Sequence, residues 1–274
     1  MIFKLGDSGT QQRNIEPSGR MGNGVQLKNN QSLGLPRIIC VIPALPSEVK
    51  LSTLRSIFSQ TIPVDYTILL TKKVQEKLRF PVKISLVLNE MLKDLKLENF
   101  DYLLRVDTDT VLPDNFIEEN LKLDLDVLGW GCAELVKIDP FLKVMGGQFH
   151  PEHDDGYIHV KMRQVGLKSS QEGYAVKPIC IREPGKHHGN NWFFAQGVLD
   201  YQYGFDPAGT LYNAFAVFGL RYAPSVVYGY IYGVINPKIK RFDVASVNMQ
   251  HYFRKYWQLN RWFKVTKIRR MVKL

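Results

Sequence analysis

An α/β fold with a mostly parallel central sheet, flanked by helices, is what this sequence predicts, and three stretches carry the expectation. Ile38-Ile39-Cys40-Val41-Ile42 is an unbroken apolar run closed by Pro43, the pattern of a buried strand. From Leu51 to Gln60 the apolar Leu51, Leu54, Ile57 and Phe58 recur at helical spacing, and Thr61-Ile62-Pro63 ends that helix. Tyr66 to Leu70 then reads as a second strand. Strand, helix and strand within about 35 residues make a βαβ unit, whose right-handed crossover leaves the two strands parallel.

The later elements extend this sheet and bring acidic residues to its edge. A helix near Ser85 to Leu95 precedes a strand from Tyr102 to Val106, which delivers Asp107 and Asp109 to its end. Residues two apart on a strand share a side, so the two carboxylates are expected to converge on a hard cation, magnesium or manganese. Ligands of open α/β sheets bind at such carboxyl ends. The bland alternative is that Asp-Thr-Asp is a solvated turn.

Asp114 is the expected N-cap of a helix carrying Phe116, Ile117 and Leu121. Asp126 to Gly131 reads as a strand running into a glycine-flexed bend that bears Trp130, and a tryptophan beside glycines suits a core or rim position. Ala133 to Lys137 and Phe141 to Val144 lead to Gly146-Gly147. Asp154-Asp155 opens a helix with Ile158, Met162 and Val165 on one face and Gly166 at C′. Helix dipoles favour acids in the first turn, so capping alone also accounts for that pair. A strand is expected from Val176 to Ile181.

Charge is unevenly placed along the 274 residues. The net charge is +10, and Asn236 to Leu274 alone holds 11 Lys/Arg and one Asp. The excess charge therefore lies in the tail, and the partner it implies is an anionic surface, either membrane or nucleic acid. Tyr252 to Phe263 gathers Tyr252, Phe253, Tyr256, Leu259 and Phe263 on one side of a helical wheel. Phe215 to Ile235 is apolar but broken by Arg221, Pro224 and glycines, which suits an interfacial or core-packed helix better than a span. The expected organisation is a mobile Gly/Asn/Gln/Ser-rich leader over 1–35, an α/β body over 36–210 and an amphipathic basic helical extension over 211–274. Cys40, Cys132 and Cys180 lie far apart without a C-x-x-C pair, so reduced thiols in a cytoplasmic setting are expected, with no zinc site and no signal peptide.

Taken in order, these segments resemble family 2 glycosyltransferases of the GT-A fold, inverting enzymes that use nucleotide-sugar donors. Val41-Ile42-Pro43 is similar to the family's opening strand, and Thr53-Leu54-Arg55-Ser56-Ile57-Phe58-Ser59-Gln60-Thr61-Ile62-Pro63 to its "TLESLLNQTYP" helix and turn. Asp107-Thr108-Asp109 resembles the D-x-D motif, Phe141 to Phe149 the segment ending in "GGF", and Asp154-Asp155 through Arg163 and Gly166 the "ED…L…RLRxxG" block. Two departures stand out. Leu70-Thr71-Lys72-Lys73 replaces an acidic pair that contacts the nucleotide, and Ala44-Leu45-Pro46 replaces "TYN".

The resemblance implies that Asp107 and Asp109 hold Mn2+ or Mg2+ and, with Pro43, the donor, a UDP- or GDP-sugar. It implies Asp155 as general base with Asp154 assisting, and His187 or His188 as a further ligand or diphosphate contact. Trp130 and Gly131 would meet the acceptor, a glycan or lipid-linked hydroxyl, with the enzyme peripheral on the inner face of the cell membrane. The competing class is a nucleic-acid- or membrane-binding protein on a catalytically silent scaffold of this kind. A nucleotidyltransferase is disfavoured, because no early glycine-rich phosphate loop is present.

Overall fold

The computed structural model describes residues 2–4, 34–70, 80–181 and 190–245. They fall into two compact units, Met1–Pro184 and Gly185–Leu274, where the sequence alone suggests a boundary at residue 210.

The first unit grows from the apolar run. Ile38–Ile42 (β2) is buried along its whole length because both of its faces are covered. Ile38, Cys40 and Ile42 pack on one face with Ile57 of α1 (Leu51–Phe58) and with Phe116 and Ile117 of α3 (Phe116–Leu121). On the other, Ile39 and Val41 meet Leu88 of α2 (Phe80–Leu92), Phe141 of α4 (Ile138–Met145) and Ile158 of α5 (Asp154–Gln164). Each such fully buried side chain contributes roughly 1.5–3 kcal/mol of transfer free energy.

Around β2 the sheet holds β1 (Ile2–Lys4), β3 (Tyr66–Leu69), β4 (Tyr102–Val106), β6 (Val127–Trp130), β7 (Ala133–Lys137) and β8 (Ser169–Ser170), in the order β1-β3-β2-β4-β7-β6-β8. β2 is parallel to β3 and β4, β7 runs antiparallel to both β4 and β6, and β6 is parallel to β8. The result is a mostly parallel sheet with helices on both faces. A small second sheet pairs β5 (Thr110–Val111) with β9 (Ile179–Cys180).

Several expectations need correction. Ile2–Lys4 is an edge strand antiparallel to β3 rather than part of a mobile leader; three residues are too few for a period to be read. Asp114 is not the N-cap of α3, a place taken by Asn115. Its carboxylate instead accepts from Ser59 Oγ at 2.7 Å, tying α3 to α1. Val165 is exposed because α5 ends at Gln164, one residue short of it, and Gly166 follows at φ +84°. The strand expected over 176–181 is confined to Ile179–Cys180.

The cysteines also differ. Cys132 and Cys180 form a disulfide, their Cα atoms 6.1 Å apart, and Cys40 alone is free and buried. Sequence distance hid this pair, because β5–β9 pairing folds Cys180 back beside the β6–β7 turn. Reduced thiols therefore no longer argue for a reducing compartment.

The second unit is helical. α6 (Asn190–Gln202) and α8 (Ala223–Ile235) pack backbone to backbone at glycines: a Cβ on Gly197 would enter the Val226 carbonyl, and one on Gly229 that of Phe194. Asp206 caps α7 (Pro207–Tyr212) by accepting from the Gly209 amide at 2.6 Å. No helix among the described residues is long and apolar enough to cross a membrane. The expected amphipathic segment Tyr252 to Phe263 lies outside the described residues.

One buried carboxyl in this unit makes its stability depend on pH. Burial pushes Asp200 up from 3.8 to about 7, against hydrogen bonds from Asn213 and Thr210. The folded state then keeps a proton that the unfolded chain releases, so stability falls as pH rises from about 4 to 7 and stays lowered above it. Asp200→Asn removes that penalty. Thermal melts are expected to show the variant more stable than the parent by roughly 2–4 kcal/mol at pH 8, and no more stable at pH 4.

Candidate active site

The Asp-Thr-Asp segment is held by its backbone from three directions. β4 ends at Val106, so Asp107 and Asp109 lie in the turn into β5 and not on a continuous strand; alternation along a strand is not what sets their directions. The Asp107 amide donates to the Cys132 carbonyl at 2.9 Å, and the Ile181 amide donates to the Asp109 carbonyl at 2.9 Å. The Cys132–Cys180 disulfide thus cross-links the two segments that grip this turn. From the third side, the start of α1 donates to the Thr108 carbonyl through the Lys50 amide and Thr53 Oγ1.

This explains the polar half of α1. Thr53, Ser56 and Gln60 are buried on one side of the helix and its end. Ser56 Oγ accepts from the Leu112 amide at 3.1 Å. Gln60 donates to the Pro113 carbonyl at 2.8 Å and accepts from the Ile117 amide at 3.0 Å. The helix is a clamp on the chain leaving the aspartates.

The other acidic pair arrives on α5. Asn89 of α2 fixes the preceding loop by exchanging two hydrogen bonds with the Phe149 backbone, at 2.9 and 2.7 Å. Gly146, at φ +65°, closes α4 in the left-handed conformation that turns the chain toward it. Asp154 and Asp155 then occupy the first turn of α5, as expected.

Arg105 joins the two acidic motifs. It lies on β4, on the α5 side of the sheet, and is 3% exposed. One guanidinium nitrogen meets Asp154 Oδ2 at 2.6 Å and Glu134 Oε2 at 4.0 Å, and another lies 3.6 Å from Asp107 Oδ1. Glu134 is its cross-strand partner on β7 and is fully buried. His159, one turn along α5 from Asp155, places Nε2 2.5 Å from the Gly129 carbonyl and 3.6 Å from Glu134 Oε1. A carbonyl only accepts, so Nε2 carries the proton.

The electrostatics sort these groups into charged and neutral members. Burial lowers His159 to about 4, leaving it neutral. Burial also raises Glu134 well above the usual carboxylate range, despite Arg105. Asp107 rises to about 6, first through burial, with Arg105 opposing and Asp154, Asp155 and Asp109 adding to the rise. Asp154 is raised by burial against the pull of Arg105. Asp155 is different. Burial would raise it, but His153, Arg105 and the amides of Gly156 and Gly131 outweigh that and hold it low. Its Oδ1 accepts from Gly156 at 2.6 Å and its Oδ2 from Gly131 at 3.2 Å.

The expected site residues largely share one edge. Val41 is level with Arg105, so Pro43 leaves β2 at the edge where Asp107 leaves β4. Val106 pairs with Ala133, which puts the Gly129–Cys132 turn there too. Trp130 is 48% exposed on that turn, and its amide donates to Tyr174 Oη at 3.1 Å. His187, His188 and the Thr71 to Lys73 departure lie outside the described residues. Sequence reading passed over Arg105, Glu134 and His159. Their signal was a charge within an apolar strand, twice, and a histidine one helical turn from an acid.

The donor set suits a hard divalent cation: carboxylate oxygens, of which Asp107 is pushed up by burial and further by its acidic neighbours, with a single buried arginine among them. Among the described residues no three His, Cys, Asp or Glu side chains enclose an ion position. At this edge Asp107 is half-buried and Asp109 is buried.

Neither a protein-family model nor a curated protein matches the sequence. Solved structures do. A mannosyltransferase from Pyrobaculum calidifontis in complex with GDP-Man and Mn2+ is 11% identical, over 86% of this chain and 83% of that chain, with a TM-score of 0.49. A mutant Drosophila galactosyltransferase with manganese, UDP-Gal and xylobiose is 15% identical, over 54% and 72%, at 0.40. A cytidylyltransferase from Leptospira borgpetersenii is 11% identical, over 71% and 96%, at 0.33. These likenesses concern the path of the chain; the chemistry lies in the side chains described above.

Proposed function

We infer that the protein is a glycosyltransferase that moves a sugar from a nucleoside-diphosphate donor to a hydroxyl acceptor with inversion at the anomeric carbon. The observation that carries this reading is Arg105, which couples the Asp-Thr-Asp turn to the Asp154-Asp155 helix start at the carboxyl edge of the parallel strands. Transfer of this type needs a diphosphate site, a base for the incoming hydroxyl, and geometry that holds the two in line.

Asp109 and Asp107 would hold Mn2+ or Mg2+, which when bound stabilises negative charge on the departing diphosphate. Asp155 takes the proton of the acceptor hydroxyl. Against burial, His153 and Arg105, followed by the Gly156 and Gly131 amides, favour its ionised form; the two amides also aim it, while each oxygen retains a further lone pair for that proton. Asp154, gripped by Arg105, orients the helix start and does not exchange protons with the acceptor. Trp130, exposed beside Gly131, offers an aromatic face for the acceptor sugar. Pro43 borders the donor. The acceptor is a glycan or lipid-linked hydroxyl.

The test is a melting curve in the presence of UDP, GDP, CDP or dTDP, each with and without manganese. One nucleotide is expected to raise the melting temperature by about 5–10 °C near saturation, only with the metal. Asp109→Ala is expected to remove that rise. No rise with any nucleotide would leave the acidic cluster as a structural feature of a silent scaffold.

A further inference from the structure

The outward side of α8 departs from the rule for surface helices, which turn polar and charged side chains toward water. Its buried stripe is Ala223, Val226, Gly229, Tyr230 and Gly233. Between and after them, Tyr228, Ile231, Tyr232, Val234 and Ile235 are exposed, from 37% at Tyr232 to 69% at Ile235. Phe215 and Leu220, just before the helix, are 50% and 81% exposed. Scattered exposed apolar residues need no explanation, but a helix face made only of them does.

Charge says what covers this face. Residues 207–242 contain no Asp or Glu, while Arg221 stands before the apolar positions of α8 and Lys238, Lys240 and Arg241 follow them. Beyond Ala245 the sequence adds only basic charge. An aliphatic face bordered by cations and free of acids matches one surface in particular, an apolar layer under a sheet of anionic headgroups. At 13 residues α8 is about 20 Å long, too short to cross a bilayer core of about 30 Å, so it would lie along the boundary.

We propose that this face of the second unit docks on an anionic lipid surface, with Ile231 and Ile235 reaching the acyl boundary and the cations at either end of α8 on lipid phosphates. The inference is independent of the transferase reading, since it requires no donor, metal or acceptor.

Flotation of the full chain with vesicles tests it. The protein is expected to float with vesicles of phosphatidylcholine and phosphatidylglycerol, and weakly with phosphatidylcholine alone. Ile231→Asp/Ile235→Asp keeps every cation and is expected to lower the bound fraction roughly tenfold or more at unchanged melting temperature. If that variant does not fold, Ile231→Ser/Ile235→Ser is expected to give a smaller loss in the same direction. A folded variant that floats as well as the parent overturns the proposal, because attraction by the basic residues alone would then suffice. So does a parent that ignores both vesicles, or one that self-associates until these substitutions make it a monomer.

Discussion

Asp155→Asn is expected to lower sugar transfer by about 10²–10⁴-fold while leaving the metal-dependent nucleotide stabilisation in place. The argument is geometric first. Asp155 accepts from the Gly156 amide on one oxygen and from the Gly131 amide on the other, so Asn in its place keeps the side chain's size and the shorter Gly156 bond, and loses the longer Gly131 bond together with the proton acceptor. The local field favours the ionised form, which leaves the base ready at neutral pH. It also makes it a weak base, so the bound acceptor and exclusion of water have to supply the remaining driving force. Steady-state transfer, measured beside a nucleotide melt, separates the two effects. Transfer near the parent rate in a folded Asp155→Asn protein would place the base elsewhere.

Arg105→Met is expected to cost about 3–5 kcal/mol of stability, a fall in melting temperature of roughly 10 °C. The guanidinium is the only buried cation among the described residues within ion-pair distance of Asp154, Glu134 and Asp107. Removing it leaves buried carboxylates facing one another, and they escape only by taking up protons. The loss is therefore expected to be larger at pH 8 than at pH 5. Adding Asp154→Asn to Arg105→Met should recover a substantial part, since the pair shares one interaction and its costs do not add. An Arg105→Met protein that melts within about 2 °C of the parent would show that the two acidic motifs are not coupled through this residue.

Much of the sheet could be read directly from the chain. β2, β3 and β4 are apolar runs of the right length, and α1 and α5 carry helical periods, so element type followed from local pattern alone. The acids at the edge were legible for the same reason, because they directly follow or open such elements. Arg105 and Glu134 were not. Each looks like an ordinary charge in a strand until β4 and β7 pair and bring them opposite one another on the face that α5 covers. The polar side of α1 was likewise invisible, since Thr53, Ser56 and Gln60 acquire their roles only from the chain that returns beneath them. The disulfide belongs to the same class, as does the apolar face of α8, whose period shows one stripe but not which side is left outward.

The sequence by itself determined the α/β class, the order of its elements and the arrival of aspartates at the carboxyl edge, because these follow from hydrophobic period and turn chemistry within short windows. Only the tertiary structure decided which charges are buried together. Antiparallel pairing of β4 with β7, and packing of α5 across both, takes Arg105, Glu134 and Asp154 out of water at once. In that low dielectric they must pair or neutralise, a constraint that residues far apart in the chain meet only when the fold closes.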